Sequence, residues 1–567
     1  MKKINLIATV LIGALFSNMP NAKAAQYVWT GGTAGTSGAW KTVGNWNVGS
    51  LGTTTVATVA PTSADNLLLT KGAANTLTTG SSTLTAVSWT LQDIAIDSTF
   101  ATVSRVLNNS TGTATATSIT LVGGRAAANG NILSSSSAYS FSIRNGDTGA
   151  LNLILGTSGN INVDNSSTLS ASTGRINLQS AVSETGGARS ITKTGGGNLT
   201  LEGNNTFSGG VTISGGSVGY ASKTAFGTGT ITMGEGTSIG QMATIGATDD
   251  DRTLANRLVI NGNVGFGDST RNVLLAGDVD LGAATRNITL YNSTYFKGVV
   301  GNGGLSTDAA GSTTRTLYLS GANTYAGGTT VNSGGLVVLN TTGSATGSGD
   351  VTVNAGGTVS GSGKIAGTVR GAGLVTAGTT ITSASSALLQ VGQLDTTSGM
   401  SFAFEATSTS FLNSGAYSND VIRATATAGS PFTQALTSAN VISIYLNAGS
   451  LAAYNNENAG VFQTGFFSDS DFSLGSGTFN LFVQAAGGLT TFQGQTYQSW
   501  ADYTTTGAGT GLNQSFSMGT SAATLANGDS GFISTLTITT IPEPSTGAML
   551  VFGLVGLVGM RALKRKA

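Results

Sequence analysis

The sequence predicts an all-β protein, most of it a solenoid of short stacked strands, and three observations predict it. Glycine supplies 84 of 567 residues, while only 9% are charged; soluble domains average ~7% glycine and ~25% charge. Between Ala25 and Ile541 proline occurs only at Pro61 and Pro431. Short runs there alternate apolar and polar residues between Gly/Asn/Ser turns. In "NLILGTSGNINVDNSSTLS" (152–170), for example, Leu153, Leu155, Ile161 and Val163 keep one strand phase. In a solenoid each short strand stacks on the coil below. Inward Val, Ile and Leu then form ladders, and outward Thr, Ser and Asn can hydrogen-bond from coil to coil. Glycine is needed at every corner, and proline would delete a ladder hydrogen bond.

Residues 1–24 read as a secretory signal peptide. Lys2 and Lys3 form the basic start and Ile4–Phe16 the apolar core. Ala22-Lys23-Ala24 places small residues where a signal peptidase reads, so the cut is expected between Ala24 and Ala25.

Residues 25–384 read as the solenoid. "YVWTGGTAGTSGAWKTVGNWN" (27–47) holds Trp29, Trp40 and Trp46, three of the five tryptophans, and is expected to cap the first coil. Further on, "LTLEGNNTFSGGVTIS" (199–214) aligns with "LYLSGANTYAGGTTVN" (317–332). Eight positions are identical, among them Gly203/Gly321, Asn205/Asn323 and Gly209/Gly327. Phe207/Tyr325 and Ile213/Val331 are similar pairs. Phe207 and Tyr325 are read as packed corners. These segments, with 343–369 as their continuation, resemble the autotransporter-associated β-strand repeat of bacterial surface passengers. That resemblance implies a right-handed parallel β-helix. At about 20–25 residues per coil, the region would hold about 14–18 coils.

Residues 385–540 change in texture: repeats stop and longer strands appear, such as "GMSFAFEATS" (399–408) and "NVISIYLNAG" (440–449). They are expected to form a C-terminal β-rich domain or the closing coils, with sandwich and solenoid both open.

Residues 541–567 read as an address. Two of the five prolines, Pro542 and Pro544, flank Glu543 in "IPEPSTGAML" and keep that stretch extended. Ser545–Leu563 is 19 residues, just enough at ~1.5 Å rise to cross ~30 Å of hydrocarbon as one transmembrane helix. Gly553, Gly556 and Gly559 would form a small-residue ridge on it. Arg561, Lys564, Arg565 and Lys566 close the chain as a basic tail that stays cytoplasmic. Pro-Glu-Pro, an apolar helix and a basic cluster in that order resemble the PEP-CTERM sorting signal. The resemblance implies an exosortase-like processing enzyme as partner, a cut near Pro542-Glu543-Pro544, and an association with exopolysaccharide.

Composition excludes much chemistry. With no histidine and no cysteine, a Ser-His-Asp triad, a cysteine nucleophile, a Cys/His metal site and disulfides are all ruled out. Without residues 1–24 and 541–567, 18 Lys and Arg face 24 Asp and Glu, a net charge of −6. Nucleic acid is therefore not an expected partner. The densest acids, Asp249-Asp250-Asp251 beside Arg252, alternate faces in a strand and read as a solvated turn; Asp469 and Asp471 read as a polar turn. Arg125, Arg144, Arg175 and Arg189 are scattered singly, as outward solubilising positions. No catalytic, cofactor-binding or metal residue emerges. The expectation is an exported, non-catalytic structural or adhesive protein of the cell surface or extracellular matrix, anchored at least briefly in the membrane. Its expected partners are signal peptidase, the exosortase-like enzyme, and exopolysaccharide or other surface glycans. The alternative is a carbohydrate-active enzyme or carbohydrate-binding protein on the same scaffold, which requires acids converging in one groove. A self-translocating autotransporter would need a C-terminal membrane barrel that the tail does not resemble.

Overall fold

The computed structural model describes isolated strands between residues 26 and 108, then 117–123, 130–145, 149–164, 174–242, 252–267, 271–312, 314–379, 387–407, 412–413, 416–425, 432–446, 460–469, Phe472, Leu474, 480–492, 495–504 and 514–540. The regular elements among them are β-strands, as the all-β expectation requires. No helix of the described residues is long and apolar enough to cross a membrane. The predicted transmembrane helix within 541–567 lies outside them and is unsupported by the fold, and Ala24 and Ala25 lie outside them as well. The chain divides into two compact units, residues 1–272 and 273–567.

In the first unit Gln26–Trp29 pairs antiparallel with Trp46–Val48, with Trp29 opposite Trp46, and parallel with Asp65–Leu69. The tryptophan-bearing strands thus form a ribbon on the first parallel pair, where a cap is expected. Beyond it the pairing is parallel, one coil onto the next. Leu151 follows Thr117 and Ile176 follows Phe141, so these coils are 34 and 35 residues long. They have three strand-bearing sides; the third stacks Thr117–Leu121, Leu151–Leu155 and Val182–Glu184. From Ile191 the step shortens: Ile191 pairs with Val211 and Val211 with Ile231, 20 residues apart. The expected 20–25-residue coil therefore appears at the repeat, and the preceding coils are wider.

The inward ladder Ile191–Val211–Ile231–Leu258 is at most 1% exposed. Removing each such side chain from water contributes about 1.5–3 kcal/mol. Asn177 Nδ2 donates to Ser142 Oγ (3.0 Å) and Thr200 Oγ1 donates to Asn177 Oδ1 (2.8 Å), one polar ladder over three coils in which Asn177 and Thr200 are buried. The apolar ladder follows the alternation read from sequence, whereas this polar ladder is largely covered, contrary to the expected outward placement.

Lys193 breaks the inward pattern. It pairs in register with Ile161 and Ile213, points inward, and is fully buried. Its ammonium donates to the carbonyls of Thr194 (2.7 Å), Gly195 (2.8 Å) and Gly215 (3.1 Å), joining two successive turns. Burial pushes its pKa down to about 8 against the pull of Asp164. The fold therefore favours the neutral amine more than the unfolded chain does. Between about pH 8 and about pH 10.5 the unfolded chain holds the extra proton, so stability should rise with pH there by on the order of 3 kcal/mol. Urea midpoints across that window should climb for the native chain relative to Lys193→Met; parallel pH profiles would contradict this.

In the second unit one parallel column passes through Val273–Leu275, Thr294–Phe296, Thr316–Leu319 and the Gly335–Val338 half of Thr329–Val338. It continues through Thr358–Val359 of Val351–Gly361, then Leu374–Thr376, Ser401–Ala406, Val441–Leu446 and Asn480–Phe492. Parallel stacking thus runs past residue 385, and the change of texture there is a lengthening of coils. Ser401 pairs with Val441 and Val441 with Asn480, steps of 40 and 39 residues. A second, smaller sheet stacks Leu388–Val391, Val421–Ala424 and Gly460–Ser468 in parallel, and antiparallel pairing ends both it and the column. Gln495–Thr504 folds back on Asn480–Phe492. Ser530–Thr540 lies between Gly460–Ser468 and Gln514–Thr524, antiparallel to both. Phe402, Phe404 and Phe432 meet Phe466 edge-on at 4.8–5.0 Å, a geometry worth about 0.5–1.5 kcal/mol per pair beyond area burial.

Candidate functional site: the repeat corner and the sorting tail

The internal repeat folds as the corner that replaces the third strand of a coil. At Asn205 the side chain does the work of a strand. Its Oδ1 accepts the Val182 N–H of the coil below (2.7 Å), and its Nδ2 donates to the Ala225 carbonyl of the coil above (2.6 Å). Asn323 repeats this between Val300 N (2.7 Å) and the Ala345 carbonyl. The next residues, Thr206 and Thr324, donate their N–H to the carbonyls of Val182 and Val300, 2.9 Å each. An asparagine suits the place because one short side chain offers an acceptor and a donor on a planar end.

The other shared residues have shared roles. Phe207 and Tyr325 are 0% and 1% exposed, so the aromatic position fills the corner as read from sequence. Tyr325 Oη and Thr329 Oγ1 share a hydrogen bond (2.7 Å), and burial raises the phenol's pKa above its usual value. A Cβ on Gly203 or Gly321 would run into the carbonyl of Ser180 or Gly298 beneath it. The equivalence extends further than the sixteen aligned residues. Gly227 and Gly347 both have φ of 65°, and both cover the carbonyl of the aromatic residue one coil down.

Acidic side chains stitch the coils. Glu184 accepts Arg189 N (2.6 Å), Ser208 N (3.0 Å) and Ser208 Oγ (2.7 Å). These bonds, led by the Ser208 hydroxyl, hold its carboxyl below the usual carboxylate value. Glu235 accepts Asn263 N (2.7 Å), Asp278 accepts Val299 N (2.9 Å), and Asp350 accepts Thr368 N (2.9 Å). Each partner stands 18 to 28 residues ahead, one coil on. In the closing coils Asp420 accepts Glu405 N (2.9 Å) and Ala387 N (3.3 Å), and burial pushes its carboxyl well above the usual range.

The residues weighed for chemistry do not converge. Asp469 pairs with Arg423 (2.8 Å), which also pairs with Asp529 and lies over the Phe467 ring. Asp471, Asp249-Asp250-Asp251 and Arg125 lie outside the described residues. Arg252 is buried and donates to the Met242 carbonyl. Arg144 is exposed, as expected, but Arg175 is half-buried with its pKa lowered by desolvation. Arg189 is tied to the carbonyls of Thr185 and Gly186, both 3.1 Å away. Among the described residues no group of three or more acids could hold a metal ion. Sequence reading missed Lys193 and the Arg423 cluster. "ITKT" shows only an alternation, and the two partners of Arg423 lie 46 and 106 residues away in the chain.

Pro542, Glu543, Pro544, Arg561, Lys564, Arg565 and Lys566 lie outside the described residues. The fold does place their point of departure: Thr540 ends Ser530–Thr540 opposite Gln514, the central strand of three antiparallel ones.

No curated protein and no solved structure matches the chain. Two family descriptions do, and each falls on a feature described above. Residues 191–218 and 314–338 match the passenger-associated-transport-repeat, and both segments run through the Asn205 and Asn323 corners. Residues 540–566 match the PEP-CTERM protein-sorting motif. The chain thus carries passenger-associated-transport repeats at the corners of its stacked coils and ends in a PEP-CTERM signal, the mark of an exported protein sorted by an exosortase.

Proposed function

We propose that this is a non-catalytic structural protein of the cell surface or extracellular matrix, built as a right-handed parallel β-helix and held by a C-terminal transmembrane helix until it is cut near Pro542-Glu543-Pro544. The observation that carries the reading is the use of polar side chains. Glu184, Glu235, Asp278 and Asp350 each hold a backbone N–H of the following coil, and Asn205 and Asn323 hold coils on both sides. A catalytic pair of carboxylates has to face substrate in a common groove; these face the next turn of their own backbone. The accessible ladder through Ser306, Asn332 and Asn354 gives a neutral hydroxyl and amide surface suited to glycans or neighbouring copies.

Intact mass and C-terminal peptide sequencing of the protein recovered from its own cells test this reading. A terminus within a few residues of Pro544, with no apolar segment left, is expected. A native protein that retains Ala567 would show a permanent anchor and defeat the processing part of the proposal.

A further inference from the structure

In the second unit, Leu339–Thr341, Gly343, Ser362–Lys364 and Gln390 enclose a cleft of about 500 Å³. Its frame is fixed. Asn340 is buried, donates from Nδ2 to the carbonyls of Thr342 and Gly343 (3.1 Å each), and accepts Lys364 N at Oδ1 (2.8 Å). The next coil is pinned beside it: Ile365 N donates to the Gln390 carbonyl (2.9 Å), and Gln390 N donates to the Gly363 carbonyl (3.0 Å).

Four side chains of the lining end in polar groups that no protein group engages among the described residues: the Thr341 and Ser362 hydroxyls, the Lys364 ammonium and the Gln390 amide. Lys364 contrasts with other cations of this unit. Arg370 is paired with Asp350, and Arg423 with Asp469 and Asp529. Here a concave surface presents one uncompensated positive charge, two hydroxyls and an amide that both donates and accepts.

We propose that this cleft binds a carboxylated saccharide, its carboxylate facing Lys364 and its ring hydroxyls meeting Thr341, Ser362 and Gln390. The volume lies in the range of small-ligand pockets, ~300–1,000 Å³. Leu339 is the one large apolar residue of the lining and no aromatic ring is present, so the ligand must be polar on every side. A lysine ammonium is a compact point charge that attracts an anionic group without demanding a bidentate geometry, and a uronic acid supplies that charge together with ring hydroxyls for the neutral groups of the lining. The inference deepens the glycan part of the reading above and rests on it only for the class of ligand met outside the cell.

The test titrates the full chain with a galacturonic acid trisaccharide and with the neutral galactose trisaccharide, by calorimetry at low salt. Saturable binding of the acidic sugar is expected, weakening about tenfold or more in Lys364→Gln, with the neutral sugar bound weakly by both. Lys364 is exposed, so Lys364→Gln should melt like the native chain; Gln390→Ala should weaken the acidic sugar without changing the charge preference. Absence of saturable binding, equal affinity in Lys364→Gln, or acetate binding as tightly as the trisaccharide would each overturn the proposal. An uncut tail on the native protein would defeat the sorting proposal and leave this binding result standing.

Discussion

Replacing Asn323 with alanine is expected to destabilise the second unit by about 2–5 kcal/mol. The substitution leaves two buried backbone groups, Val300 N–H and the Ala345 carbonyl, without the partner that Asn323 supplies, and each unpaired buried group costs ~1–3 kcal/mol. Water cannot easily replace the amide, because Asn323 is only 6% exposed. A long stack of coils need not unfold in one step, so hydrogen exchange is the informative measurement. The Val300 N–H loses its acceptor directly and should lose protection most, and the Ala345 N–H, which donates to the Lys364 carbonyl, should lose protection through loosening of its coil, although 45 residues separate them. Asn323→Asp keeps the acceptor for the Val300 N–H but sets a carboxylate oxygen against the Ala345 carbonyl, so it should spare protection at 300 and loosen the coil around 345. Unchanged protection at both sites in Asn323→Ala would mean that the bridge does not hold the coils.

Replacing Gly347 with alanine should cost about 2–5 kcal/mol, for two reasons that can be separated. Gly347 has φ of 65°, where a side chain costs ~1–2 kcal/mol. Its Cβ would also sit well inside contact distance of the Tyr325 carbonyl and N–H one coil below, and overpacking of that kind adds ~1–3 kcal/mol. Gly236 isolates the first contribution. Its φ is 69°, yet nothing lies within 4 Å of an added Cβ, so Gly236→Ala should lose only ~1–2 kcal/mol. Urea denaturation of the two variants beside the native chain makes the comparison. Equal losses would show that the coils part easily at the corner.

The stacked coils were legible because solenoid pairing is local in one sense: every coil solves the same problem, so the solution recurs in the sequence. Leu199, Leu201, Gly203 and Asn205 announce it, and Leu317, Leu319, Gly321 and Asn323 announce it again. What did not recur was hidden. The three-sided coils before Ile191 share no motif with the repeat, and their 34–35-residue steps follow from pairings that alternation alone does not assign. Lys193 sits at an inward position because three turn carbonyls converge there, and those belong to glycines and a threonine that read only as loop. The passage of parallel pairing beyond 385 was equally hidden: longer, more aromatic strands suggest a new domain, whereas the backbone adds wider coils. The cleft at Lys364 combines three successive coils, and no spacing in the sequence marks it.

The position of Ser530–Thr540 carries a mechanical consequence. Antiparallel hydrogen bonds stand perpendicular to their strands, and this strand is flanked by such bonds on both sides before the chain leaves at Thr540. Tension applied through the tail acts along the strand axis. It therefore loads the two ladders in shear, many bonds together, rather than peeling them one after another. A body held by its C-terminus against flow or against a neighbouring cell would meet that force with a strand bonded along both of its edges.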